Sequence, residues 1–153
     1  MPLGTAGPLR LLKEKLKEPF LVVYGDILTS LNFRKLMEFH TKNKADFTLV
    51  TKETIFPISY GVIKSEGNMI KSVEEKPEMK TQINTGIYFL NPEVIDAIPE
   101  GFFHMTDLIK MLISQGKRVM KYNLKDYWLD IGQIHDYEKA QRDIEEGMLN
   151  VNS

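Results

Sequence analysis

The sequence predicts an α/β domain, a mixed sheet flanked by helices with one inserted β-hairpin. Three observations carry this. Apolar runs of strand length recur, among them Phe20-Leu21-Val22-Val23-Tyr24 and Ile87-Tyr88-Phe89-Leu90. Between them, apolar residues repeat at helical spacing, as in Leu108, Ile109, Leu112 and Ile113. In the middle, two alternating runs flank Gly67-Asn68, a hairpin pattern. Strands alternating with helices exclude an all-β barrel and a helical bundle.

Each element follows from local chemistry. Residues 1–7 hold Pro2, Gly4, Thr5 and Gly7 and read as loop. Pro8 opens a helix over 8–16, with Leu9, Leu12 and Leu16 on one face. Pro19 stops it, and a strand over 20–24 follows. That apolar run reads as a strand covered on both faces. A second helix spans 31–43, with Phe33, Leu36, Met37 and His40 along or beside its buried face. A strand over 46–51 leads to the hairpin of 60–77. The strand over 83–90 closes at Asn91-Pro92, which start a short helix over 92–98. Thr106 is the expected cap of a helix over 107–115, ended by Gly116. A strand over 119–124 precedes the apolar edge segment 127–132, whose acid, Asp130, looks buried. The last helix spans 135–146. The tail over 147–153 is polar and expected to fray.

At 153 residues the chain is one domain-sized unit with room for a core. A net charge of −1 points to neither a nucleic-acid nor a membrane surface. The absence of cysteine excludes disulfides, a thiolate nucleophile and Cys-ligated zinc, and it fits a cytoplasmic protein. No apolar run is as long as a membrane span. The first residues lack the basic and apolar regions of a signal peptide. His40, His104 and His135 stand at no metal-ligand spacing and suggest no Ser-His-Asp arrangement. Trp128 could stack on a base or sugar, but beside Leu129 and Ile131 it reads as core, and Lys64, Lys71 and Lys76 read as a solvated hairpin face rather than a binding patch.

Four constellations carry possible chemistry. Gly4, Thr5, Ala6 and Gly7 precede a helix, where backbone N–H groups can bind a phosphate or a base edge; a plain flexible terminus gives the same pattern. Asp26 and Asp130 each follow an apolar run beside a glycine. Two carboxylates at sheet ends can hold Mg²⁺, and either can equally be a cap or an ion-pair partner. Glu75-Lys76-Pro77 places a cation and an acceptor in a strand-end loop, suited to a phosphate and to sugar hydroxyls or simply to solvent. Asn84-Thr85-Gly86 interrupts a core strand, as a bulge or a polyhydroxyl site does.

In this order the pieces resemble the sugar-phosphate nucleotidylyltransferases, in particular the mannose-1-phosphate guanylyltransferase and glucose-1-phosphate thymidylyltransferase branch. The resemblance rests on Leu3-Gly4-Thr5-Ala6-Gly7-Pro8-Leu9, Tyr24-Gly25-Asp26-Ile27-Leu28, Tyr60-Gly61-Val62-Ile63, Glu74-Glu75-Lys76-Pro77, Asn84-Thr85-Gly86-Ile87-Tyr88 and Tyr127-Trp128-Leu129-Asp130-Ile131-Gly132. It implies a Rossmann-like nucleotidyltransferase fold on a mixed, mostly parallel sheet over 1–146. It also implies roles. Gly4, Thr5, Ala6 and Gly7 would contact the nucleobase and ribose. Asp26 and Asp130 would hold Mg²⁺. Gly61, Glu75, Asn84, Thr85 and Gly86 would bind the sugar, and Lys76 would reach its phosphate. The reaction implied transfers a nucleotidyl group from GTP or dTTP to a sugar 1-phosphate, giving an NDP-sugar and pyrophosphate. Such chemistry needs positioning and charge neutralisation more than a covalent nucleophile.

The chain also departs from that family. The family opens with a strand and a Gly-rich loop carrying a basic residue, which grips the triphosphate, and nothing here supplies them. The resemblance therefore implies an N-terminally truncated catalytic domain, inactive alone. The flank of the 20–24 strand would be uncovered, which predicts a homo-oligomer. The rival reading is a non-catalytic module that binds a sugar nucleotide or mediates regulation and assembly.

Overall fold

The apolar run at 87–90 becomes the middle of the sheet. It ends β6, Glu78–Leu90, whose last six residues are all buried. The computed structural model describes residues 2–149. It pairs β6 antiparallel with β1, Phe20–Val23, on one side and with β3, Phe47–Pro57, on the other. β7, Val119–Asn123, adds parallel to β3, giving the order β1-β6-β3-β7. The sheet is mixed, as expected, but two of its three pairings are antiparallel rather than mostly parallel. The reason is connectivity. β3 returns into β6 through an extended ribbon instead of a crossover helix, and a direct return runs antiparallel. β1 lies at the edge, with Leu21 and Val23 each 37% exposed, so it is not covered on both faces.

Alternation along the strands sorts side chains into two cores. Phe47, Tyr88 and Leu90 face one side with Leu108 and Leu112 of α3, Met105–Ser114. Val50, Ile87 and Phe89 face the other with Leu36 of α2, Phe33–Lys42. Between Thr51 and Pro57, β3 leaves the core and runs with β6 as a solvent-exposed ribbon. At its tip sits the expected hairpin, β4 (Val62–Glu66) and β5 (Met69–Glu74), turning at Gly67 with φ +57°.

Helix ends depart from expectation where tertiary contacts intervene. α1 is only Gly7–Leu11, although Leu16 still packs on the core. The Asn32 side chain accepts from the Lys35 N–H at 3.1 Å and starts α2 after residue 31. Phe33 and Met37 lie on its exposed side. α3 begins before Thr106, and the Met105 N–H donates to the hydroxyl of distant Thr5 at 2.8 Å. Thr106 therefore lies inside the helix rather than capping it. The segment Pro92–Ala97 is a 3-10 helix. β2 (Ile27–Thr29) and β8 (Trp128–Asp130) form a separate ribbon, followed by α4, Ile134–Glu145. The Tyr127 hydroxyl donates to Asp143 at 2.6 Å, and the Lys139 ammonium binds the same carboxylate oxygen, which anchors α4 to the start of β8. These partners hold the Asp143 carboxyl below its ordinary range. The tail does not fray at once. Leu149 is buried and the Met148 N–H donates to the Asp143 carbonyl at 2.8 Å; residues 150–153 lie outside the described residues. Among the described residues no helix is long and apolar enough to cross a membrane.

Phe47 is fully buried between Tyr88 and the helical layer, with ring centroids 5.7 Å apart. Phe47→Ala should destabilise the fold by about 3–5 kcal/mol in urea unfolding. Ile113, 59% exposed on α3, is the control. Ile113→Ser should change stability by about 0.5 kcal/mol or less.

Candidate active site

The β2–β8 ribbon unites two acids that lie far apart in sequence. Its register sets Asp130 opposite Ile27, beside Asp26, and the Ile131 N–H donates to the Asp26 carbonyl at 2.8 Å. Both acids are exposed, which corrects the reading of Asp130 as buried. The Asp130 carboxyl is nevertheless held above its ordinary range. Partial loss of water is the first cause, followed by the negative charges of Asp26 and Asp136. Asp136 is otherwise engaged, accepting from the Gln133 N–H at 3.0 Å at the start of α4. Two like-charged, solvent-facing carboxylates suit a hard divalent cation that draws its other ligands from water and a phosphate. No group of three or more acids or histidines able to hold a metal occurs among the described residues.

β6 bulges directly after Asn84. Val50 alone faces Thr85, Gly86 and Ile87, between the pairs Leu49–Tyr88 and Thr51–Asn84. Gly86 takes φ +74°, and a Cβ there would stand 2.8 Å from a ring carbon of Tyr24. Thr85 is buried and uses its hydroxyl and its carbonyl within the protein. Its hydroxyl donates to the Val50 carbonyl at 2.8 Å, and its carbonyl accepts from the Trp128 indole at 2.9 Å. The Tyr24 N–H donates to the Gly86 carbonyl at 3.0 Å. Through these bonds the Asp26 turn, the bulge and β8 form one rigid corner.

The other expected residues sit elsewhere. Glu75 folds over Gly61 at the base of the hairpin, where a Cβ on Gly61 would lie 3.2 Å from a Glu75 carboxylate oxygen. Lys76 follows in a left-handed turn, φ +46°, and is exposed. The polar half of β6 connects this group with the bulge. Among the described residues no hydrogen bond joins Glu75 or Lys76 to the carboxylate corner. The 4–7 loop packs instead on residue 103. The Ala6 and Gly7 N–H groups both donate to the Phe103 carbonyl, at 2.9 and 3.2 Å, and a Cβ on Gly4 would meet that oxygen at 2.5 Å. Those donors are engaged within the fold, and the Thr5 hydroxyl accepts from α3.

A family model described as nucleotidyl transferase matches residues 1–147. The chain belongs to that family. It is 39% identical over 147 residues to a mannose-1-phosphate guanyltransferase of Pichia angusta, covering 89% of this chain and 40% of the relative. It is 36% identical over 149 residues to a probable mannose-1-phosphate guanylyltransferase 3 of Arabidopsis thaliana, covering 92% of this chain and 45% of the relative. The chain thus spans less than half the length of these curated relatives. Among solved structures it resembles HddC from Yersinia pseudotuberculosis, with TM-score 0.68 and 25% identity, over 94% of this chain and 64% of that one. A putative glucose-1-phosphate thymidylyltransferase from Bacillus anthracis shares the fold, with TM-score 0.71 at 22% identity, over 98% of this chain and 63% of that one. The Rossmann-like nucleotidyltransferase fold expected from the sequence is therefore the one found.

Three further residues of the chain stand at the corner, none of them among the expected site residues. Tyr24 packs across Gly86, and the buried Tyr88 hydroxyl binds it at 3.1 Å. Burial foremost, then the Tyr24 hydrogen bond, holds the Tyr88 phenol well above its ordinary pKa. Lys52 lies 5.9 Å from the Trp128 ring centroid. Tyr24 had one signal in the sequence, a polar-tipped aromatic directly before Gly25-Asp26. Lys52 had none, because its neighbour is set only by the fold.

The raised Asp130 pKa has a definite sign. The folded state keeps a proton that the unfolded chain releases at about 3.9, so stability falls as pH rises above that value. Asp130→Asn should melt at or above the parent temperature at neutral pH, with the difference closing in acid. Added Mg²⁺ should raise the melting temperature of the parent but not of the variant in differential scanning fluorimetry.

Proposed function

We propose that this chain carries the sugar-phosphate and metal part of a nucleotidyl transferase that joins an NTP to a sugar 1-phosphate. The observation that carries the reading is the corner where Asp26 and Asp130 share a ribbon against the bulge after Asn84. An oxygen of the sugar phosphate attacks the α-phosphorus of the NTP, a new P–O bond forms, and the bond to the β-phosphate bridge breaks to release pyrophosphate. Asp26 and Asp130 would hold Mg²⁺, which when bound neutralises phosphate charge. Glu75, fixed over Gly61, accepts from sugar hydroxyls, and Lys76 offers its ammonium to the sugar phosphate. Asn84 and the bulge residues Thr85 and Gly86 shape the sugar side. Gly4, Thr5, Ala6 and Gly7 would border the base and ribose through surfaces not engaged with Phe103. Similarity to relatives named as mannose-1-phosphate guanylyltransferases supports GTP and mannose 1-phosphate as the substrates of this chain's parent reaction. The cytoplasm is the proposed location, in keeping with the absence of cysteine.

The paired N–H groups of the 4–7 loop support low turnover by these 153 residues alone. The open β1 edge supports self-association as a homo-oligomer. In a pyrophosphate-release assay with Mg²⁺, GTP and mannose 1-phosphate, the chain should give little turnover, and robust turnover would remove the partial-machinery reading. Calorimetry should detect Mg²⁺-dependent binding of mannose 1-phosphate, weakened about tenfold or more in Asp26→Asn. Unchanged affinity would sink the metal assignment. Sedimentation should show a species larger than the monomer.

A further inference from the structure

The ribbon that carries Asp130 is small and hangs beside the main sheet. β2 and β8 pair through three residues each and form a two-stranded sheet of their own. Ile27 and Trp128 seat it on the second core. Among the described residues one hydrogen bond joins β8 to the main sheet, from the Trp128 indole N–H to the Thr85 carbonyl at 2.9 Å. Trp128 and Asp130 stand two apart on β8, so their side chains leave the same face of the ribbon. The seating of the indole therefore bears on where Asp130 sits. The Lys52 ammonium lies over that indole, 5.9 Å from the ring centroid. Lys52 is half-buried on β3, opposite Ile83 and next to the Thr51–Asn84 pair that borders the bulge. Among the described residues its ammonium forms no ion pair. A cation on the ring face draws on the ring's electrons and makes the indole N–H a stronger donor.

We propose that Lys52 is a positioning residue for the acid corner: its ammonium holds the Trp128 indole on the Thr85 carbonyl, and through β8 it sets Asp130 beside Asp26 for a divalent cation. This role rests on the metal reading above. Lys52 binds neither carboxylate and acts through the ring. Its charge works in two opposing ways. A cation–ring contact at a partly exposed site is worth about a two- to fivefold change in an equilibrium constant. Direct repulsion between the ammonium and a divalent cation opposes binding, and salt screens it. Removing the ammonium therefore weakens cation binding if Lys52 positions the corner, and strengthens it if repulsion is its only effect.

Trp128 is the only tryptophan in the chain, so its fluorescence reads this contact alone. The test compares the parent with Lys52→Met, Lys52→Gln and Lys52→Arg, by acrylamide quenching of Trp128 and by calorimetric titration with Mg²⁺ in about 0.3 M KCl, where repulsion is screened. Lys121→Met is the control, a lysine of the same sheet whose ammonium donates to Gln82 at 2.7 Å. Both neutral variants should raise the quenching of Trp128 and weaken Mg²⁺ binding about two- to fivefold. Lys52→Arg keeps a cation for the ring and should restore both, and Lys121→Met should change neither. Melting temperatures should stay within about 4 °C of the parent. A larger fall in both neutral variants overturns the proposal, since Lys52 then supports the fold at large. Unchanged quenching, or a loss that Lys52→Arg fails to restore, overturns it too. Mg²⁺ binding that Asp26→Asn abolishes but the neutral variants leave unchanged or tighten overturns the positioning role, and then the metal reading survives. A parent chain that binds no Mg²⁺ overturns both.

Discussion

The arrangement depends on one irregularity in β6, where three residues occupy the span opposite Val50. A regular strand would place Thr85 and Gly86 in the ladder and keep their polar groups engaged there. The bulge turns them aside instead. Thr85 can then tie β3 to β6 with its hydroxyl and receive Trp128 on its carbonyl. Gly86 makes this possible by adopting φ +74° and by leaving room for the Tyr24 ring. With any larger residue at 86, Tyr24 would have to move, and the turn carrying Asp26 begins directly after Tyr24.

Once the bulge fixes Tyr24 and Trp128, the two carboxylates have little freedom. Asp26 follows the strand end that Tyr24 pins, and Asp130 ends the strand that Trp128 pins. Their backbones join through the Ile131 N–H, so the like charges are held together by the fold and against their own repulsion. Such a pair is unfavourable alone and becomes favourable when a cation shares it. Exposure suits the proposed cation role, because water can complete the coordination of a hard divalent ion.

The polar half of β6 separates this corner from Glu75 and Lys76. There the ribbon has no core, and its conformation rests on the ladder and on the turn at Lys76. The 4–7 loop is a third region with a different logic. Its glycines allow close approach to Phe103, and Thr5 starts α3. A loop that resembles a phosphate-binding turn in sequence is here, in large part, a brace between α1 and α3.

Much of this was legible before the fold was known. The 87–90 strand, the hairpin around Gly67, the alternation of helices and strands, and the family resemblance all follow from short-range patterns, because periodicity and turn chemistry act over a few residues. Asn84-Thr85-Gly86 already read as a bulge or a polar site, and Asp26 and Asp130 as possible partners. The sequence left open which side chains their neighbours would consume. Thr106 looked like a cap, yet Thr5 supplies the acceptor. Asp130 looked buried, yet it lies exposed beside a second acid. The 20–24 run read as a strand buried on both faces, yet Leu21 and Val23 are partly exposed; its uncovered flank was expected. Each of these depends on residues far apart in the chain, and spacing along one sequence carries no record of them. The sequence by itself determined which residues could form strands, turns and acidic pairs. Only the tertiary structure decided which pairs meet, because hydrogen-bond direction and shared charge exist only once both partners are in place.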